Sequence, residues 1–315
     1  MGRLAFWVLV VIAGMALAGG GLTWGLTVRA EADFPPLGRS VTANGARVHA
    51  VAKGEGPAIL LLHGAYGTLH DFTNTIADEL ARGHRIIAPD RPGHGYSARP
   101  AGPMTPDAQA RLIHAALAEL GERRAIVVGF SYGAAVALAY ALAFPDDTAA
   151  LVVLNGPSHV WLTPTSRLYD IAAIPVLGTL MTHTIVTPLG HLLLDSGARA
   201  VFAPEPVPPG FARAALPLTI RPGSYAANAD DLRNLKPFLA EQSKRYGELR
   251  MPVEIVAGTM DRSVSPEIHA RILVREVAGA VLTEIPGAGH PLLYAHPDAA
   301  LAAIRRAVAR ANRPA

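Results

Sequence analysis

The chain has 315 residues, half of them hydrophobic and only 17% charged. That is room for one large domain or two small ones, with an apolar balance that points to membrane association. The net charge of +3 comes from scattered basic residues; no basic stripe is interleaved with aromatics, which argues against a nucleic-acid partner. Cysteine is absent, so disulfides, thiolate metal sites and a cysteine nucleophile are excluded and the redox compartment stays open.

Leu4 to Val28 carries no charged residue. As a helix it would be about 37 Å long, enough to cross a hydrocarbon layer of about 30 Å with some tilt. Phe6, Trp7 and Trp24 fall near the two interfaces. Residues 1–33 are therefore read as a single-pass membrane anchor, with the rest of the chain outside the cytoplasm. A cleaved signal peptide is the competing reading, since Arg3 precedes the run and Ala30-Glu31-Ala32 resembles a cleavage site; the product would then be secreted. The run is longer than the apolar region of such peptides, which favours the anchor.

Residues 33–39, with Pro35-Pro36, read as a linker. Ser40 to Ala52 alternates around Asn44-Gly45, a hairpin signal. The apolar run Ala58 to Leu62 ends in His63-Gly64-Ala65-Tyr66-Gly67. Asp71 to Arg82 has helical spacing, and Arg85 to Asp90 is a further short strand. Thr105-Pro106-Asp107 opens a helix running to about Leu120. Ala125 to Val128 is short and β-branched, like a strand buried on both faces, and Gly133 to Leu142 has the composition of a packed helix. Another strand follows from Ala149 to Asn155. This alternation predicts a parallel sheet wrapped by helices.

At Gly156-Pro157 the alternation breaks. Residues 157–247 read as a helical, proline-punctuated cap inserted between two parts of one core, 34–156 and 248–315. Strand and helix resume with Val253 to Ala257, a helix from Pro266 and a strand from Ala280 to Ile285. The last helix spans about Pro297 to Arg310, and its arginines, Arg305 and Arg306 among them, read as a solvated face.

Between the strand at 125 and its helix stands Gly129-Phe130-Ser131-Tyr132-Gly133, which matches the Gly-x-Ser-x-Gly nucleophile elbow. A strand turning at once into a helix cramps the central residue, and side chains two positions away would collide, so glycine is needed at 129 and 133. A serine hydroxyl needs a base to become a nucleophile. His290, in Pro286-Gly-Ala-Gly-His290 directly after the last strand, is the candidate, because histidine titrates near working pH. Asp261, just beyond the strand at 253, is the carboxylate that would fix the imidazole tautomer. The rival place after the preceding strand holds Asn155, whose amide cannot neutralise an imidazolium. Backbone N–H groups of Ala65 and Tyr132 would receive the oxyanion. His63 is assigned to holding its loop, and Asp90 to Ser97 to shaping the site wall. No metal-ligand spacing is present.

Ser131, Asp261 and His290 in this order, with His63-Gly64, Asp90-Arg91-Pro92-Gly93-His94-Gly95-Tyr96-Ser97 and Gly287-Ala288-Gly289-His290, resemble the α/β-hydrolase superfamily over nearly everything after residue 40. The resemblance implies a mostly parallel eight-stranded sheet with helices on both faces and a helical cap after the sixth strand. It also implies that no cofactor is needed. Dehalogenase and epoxide-hydrolase relatives carry aspartate at the elbow, so Ser131 argues against both chemistries. The expected function is a serine hydrolase acting on a small, ester-like carbonyl compound. The apolar composition between Trp161 and Leu218 suggests a lipophilic substrate, or else only packs the cap on the core. The alternatives are a carbon–carbon bond hydrolase or cofactor-free haloperoxidase of the same fold, and a non-catalytic, membrane-tethered binding module.

Overall fold

The computed structural model describes residues 2–209, 211 and 214–312. Eight strands form one sheet in the order β1-β2-β4-β3-β5-β6-β7-β8. They are β1 (Arg39–Ala43), β2 (Ala46–Lys53), β3 (Ala58–Leu62), β4 (Arg85–Pro89), β5 (Ala125–Phe130), β6 (Thr148–Leu154), β7 (Val253–Gly258) and β8 (Val281–Ile285). β1 and β2 form an antiparallel hairpin turned by Asn44 and Gly45, both at positive φ, as a two-residue primed turn requires. β2 runs antiparallel to β4, and β3 to β8 run parallel to one another.

The central strands are apolar on both faces because both are covered. Leu60, Leu62, Val127, Leu151 and Ile255 pack toward the helices Pro106–Glu119 and Tyr132–Ala143. Their chain neighbours Ile59, Leu61, Ile126, Val128 and Val152 point the other way, toward Phe72, Ile76 and the helix Pro297–Ala311, as the two-residue strand period dictates. The alanines of Tyr132–Ala143 are buried without exception from Ala134 to Ala141, so their small side chains let this helix lie close against the sheet.

Two local expectations are corrected. The predicted helix over Asp71 to Arg82 is split into His70–Thr73 and Ala77–Leu80. Thr75 Oγ1 donates back to the carbonyls of Asp71 and Phe72, the local competition by which polar residues interrupt helices. The C-terminal arginines are not simply a solvated face. Arg306 and Arg310 each reach a carboxylate oxygen of Glu254, fully buried in β7, at 2.8 Å, with their stems laid along the helix.

From the end of β6 at Leu154 to the start of β7 at Val253 the chain leaves the sheet. It forms the helices Arg167–Ala172, Leu177–Met181, a π-helical turn Thr182–Val186, Thr187–Phe202, Leu216–Thr219 and Pro222–Gln242. Most large apolar side chains of this insertion between Val160 and Leu193 point outward; composition could not distinguish that from an inward-facing lining. The N-terminal helix Gly2–Asp33 is long and apolar enough to cross a membrane by length and composition. It lies beside the insertion, with Ala30 buried against Ala215 and Leu218.

Candidate active site

Ser131 sits at the turn between β5 and the helix Tyr132–Ala143, at φ +51° and ψ −126°, a backbone conformation L-residues rarely adopt. The two flanking glycines answer to different neighbours. A Cβ at Gly129 would stand 2.4 Å from Ala134 Cα, and one at Gly133 would stand 2.1 Å from the carbonyl oxygen of Leu62 in β3. Gly133→Ala is therefore expected to push the helix off the sheet and lower stability by about 3 kcal/mol, the upper range for overpacking; urea unfolding at unchanged m-value measures it.

The turn brings Ser131 to the loop after β8. Ser131 Oγ lies 2.9 Å from Nε2 of His290, whose Nδ1 lies 2.7 Å from Oδ2 of Asp261. Oδ1 of Asp261 accepts from the N–H groups of Ser263 and Val264 at 2.8 and 2.9 Å, so both carboxylate oxygens are occupied and the side chain is fully buried. The Phe130 ring rests 5.5 Å from the imidazole. Beside Ser131, the N–H groups of Ala65 and Tyr132 donate to no acceptor among the described residues. Tyr132 opens its helix, where the first N–H groups have no intrahelical partner.

His63 is held as a neutral acceptor. Its Nδ1 bonds the Gly64 carbonyl and its Nε2 accepts from Arg91 N–H, both at 2.9 Å, and burial followed by the nearby Arg91 charge holds its pKa well below the usual value. In the turn after β4, Asp90 accepts from the N–H groups of Leu69 and Tyr96 and pairs with His49. His269 lines the same cavity as Ser131, yet its Nδ1 accepts from Ser158 and His159 N–H and burial lowers its pKa to about 4. Neither ring is placed to deprotonate Ser131.

Several supporting residues have partners that no local signal in the sequence announces. Arg91 is fully buried and donates to the carbonyls of His63 and Gly64, to Gln109 and to Asp231 at 2.7–3.0 Å. Its guanidinium also lies over the Tyr132 ring. Asn228, one turn before Asp231 on the insertion helix Pro222–Gln242, accepts from Tyr66 N–H at 2.8 Å. The loop carrying Ala65 is thus clamped from the insertion. Asn155, rejected as an acid, bonds the carbonyl of His290 at 2.7 Å and accepts from Gly258 N–H. Glu205 accepts from Gly289 N–H at 2.8 Å and pairs with His296. Both fix the histidine loop.

Ser131 and His290 open into a cavity of about 370 Å³, walled by apolar and aromatic side chains including Trp161, Tyr169, Val201, Phe211 and Leu232. Asp71 is the one carboxylate among the described residues of the lining, and its Oδ1 accepts from Tyr294 O–H at 3.2 Å. Burial raises the Asp71 pKa from 3.8 to about 7. The folded state then holds this proton more tightly than the unfolded chain, so stability falls as pH rises from about 4 to about 7. Asp71→Asn is expected to flatten that slope and to exceed the parent at pH 8 by up to about 4 kcal/mol; urea melts at pH 5 and 8 read the difference.

Residues 57–169 match the family model for the alpha/beta hydrolase fold. An uncharacterized protein of Mycobacterium tuberculosis is 29% identical over 278 residues, covering 81% of this chain and 76% of that protein. The 2-hydroxy-6-oxo-6-phenylhexa-2,4-dienoate hydrolase of Burkholderia cepacia is 27% identical over 271 residues, 80% of this chain and 88% of that enzyme. Among solved structures, the enol-lactonase from Burkholderia xenovorans LB400 is similar at a TM-score of 0.71 and 20% identity, covering 86% of this chain and 100% of that one. An esterase from Exiguobacterium antarcticum is similar at a TM-score of 0.71 and 20% identity, over 87% of this chain and 100% of that one. The strand order, the matched family model and the hydrolases among these relatives converge, and the chain belongs to the α/β-hydrolase superfamily.

Proposed function

We propose that this protein is a serine hydrolase that cleaves a lipophilic, ester-like carbonyl compound at Ser131. The observation that carries the reading is the continuous hydrogen-bonded chain Ser131–His290–Asp261 beside two uncommitted backbone donors. Ser131 Oγ attacks the carbonyl carbon while His290 Nε2 takes its proton, and Asp261 stabilises the imidazolium and fixes its tautomer. The N–H groups of Ala65 and Tyr132 receive the oxyanion. His290 returns the proton to the leaving alkoxide, which departs as the alcohol. Water, deprotonated by His290, then resolves the acyl-enzyme to the acid and frees Ser131. No step draws on a metal or cofactor.

The apolar cavity wall supports a lipophilic acyl or alcohol portion. The N-terminal helix is read as a single-pass anchor that keeps the catalytic part outside the cytoplasm. Likeness to a hydrolase named for a phenyl-substituted keto-dienoate favours a second reading, carbon–carbon bond hydrolysis of a diketone-like substrate.

A fluorophosphonate probe separates enzyme from binding module: it is expected to label Ser131 in the folded protein, and absence of labelling would favour a non-catalytic role. Aryl esters graded by acyl length, run beside a diketone-like substrate, decide between the two chemistries. Turnover of the diketone alone would overturn the esterase reading.

A further inference from the structure

Outside the N-terminal helix, the exposed large apolar side chains of the described residues are concentrated in one place. All but Leu37, Met260 and Val281 lie between Val160 and Val201. Val176 and Leu192 are 80% and 81% exposed, and Leu177, Leu180, Ile185 and Leu193 join them. No Asp, Glu, Lys or Arg occurs between Asp170 and Asp195. A water-facing helical insertion does not carry an apolar face of this extent, interrupted at its exposed positions only by Thr179 and His183, without a partner.

The position of the N-terminal helix indicates what covers that face. Ile12, Met15 and Ala16 share a cleft with Leu177, Leu180 and Ile185. At Gly19 a Cβ would stand 2.4 Å from the Thr184 carbonyl oxygen, so the two backbones touch. Further along, Thr23 and Ala30 are buried against the rest of the protein, and charged residues begin only at Arg29, with Glu31 paired to Arg221, so the water side of a spanning helix lies at Thr23 or beyond. Ile12 is eleven residues before that point, about 16 Å along the axis. Segments that touch a spanning helix at this depth are at the same depth themselves.

We propose that the apolar face of residues 171–194 is embedded in the hydrocarbon of the bilayer alongside the N-terminal helix. Val201, just past the end of that face, is both exposed and part of the cavity wall, so the cavity at Ser131 opens beside the membrane surface, where a lipophilic substrate is concentrated. This rests on reading the N-terminal helix as an anchor.

Because the chain has no cysteine, single labels test both points in the full-length protein. An environment-sensitive fluorophore is placed at Leu192→Cys on the insertion, at Val10→Cys on the N-terminal helix and at the exposed, distant Glu55→Cys. Each variant is reconstituted in phosphatidylcholine vesicles with or without brominated acyl chains. The labels at 192 and 10 are expected to lose most of their emission to the brominated lipid, and the label at 55 to lose none. Quenching at 10 without quenching at 192 would overturn the embedded insertion and leave the anchor standing. Quenching at neither would overturn both. A blue-shifted, unquenched label at 192 would show that a second copy of the chain covers the face instead, which also overturns the proposal.

Discussion

Ser131→Ala and His290→Ala are each expected to lower kcat by roughly 10⁶-fold, and the double variant by no more, because nucleophile and base act as one unit. The structure indicates that neither change should disturb the fold. Ser131 caps no backbone group with its hydroxyl, and alanine keeps the Cβ at φ +51°. At position 290 the bonds from Asn155 to the carbonyl of His290 and from Gly289 to Glu205 still anchor the loop when the ring's bond to Asp261 is lost. Initial rates beside urea unfolding curves check both halves of the expectation. Retention of a tenth of the parent rate in either variant would remove these residues from the chemistry.

Asp261→Asn is expected to cost about 10⁴-fold in kcat, for a reason visible in its partners. Ser263 and Val264 both direct N–H groups at Oδ1, so the asparagine oxygen is held there and its NH₂ group turns toward His290. Nδ1 must then accept, and the proton moves to Nε2, the atom facing Ser131. The ring would present a donor to a hydroxyl that needs an acceptor. Nitrogen chemical shifts of the imidazole report the tautomer directly. A loss smaller than tenfold would mean that another acid serves His290.

What could be read from the sequence was local. The elbow, the Asn44-Gly45 hairpin and the alternation of strand and helix are set by neighbours in the chain, and they appear as motifs and periods. The clamp on the Ala65 loop is different in kind. Arg91 and Asp231 are 140 positions apart, and an aspartate within a helix carries no mark that it meets a buried arginine. Asn155 and Glu205 were hidden for the same reason, since their roles are bonds to backbone in a distant loop. The insertion shows a third limit. Its apolar composition was plain, but composition alone does not say which side chains face outward and which line the cavity.

The buried pair formed by Arg91 and Asp231 restrains how this molecule can breathe. Swinging the helix Pro222–Gln242 away from the sheet would strand an unpaired charge in the interior, a loss of about 3–5 kcal/mol, and would unseat Tyr66 from Asn228 at the same moment. That helix is therefore fixed to the floor of the Ser131 cavity. The preceding stretch, from Trp161 to Val201, meets the core through lighter contacts, the hydroxyl pair of Tyr66 and Tyr169 and the N–H of His290 on the Val201 carbonyl, so this part of the cavity wall yields at a lower cost.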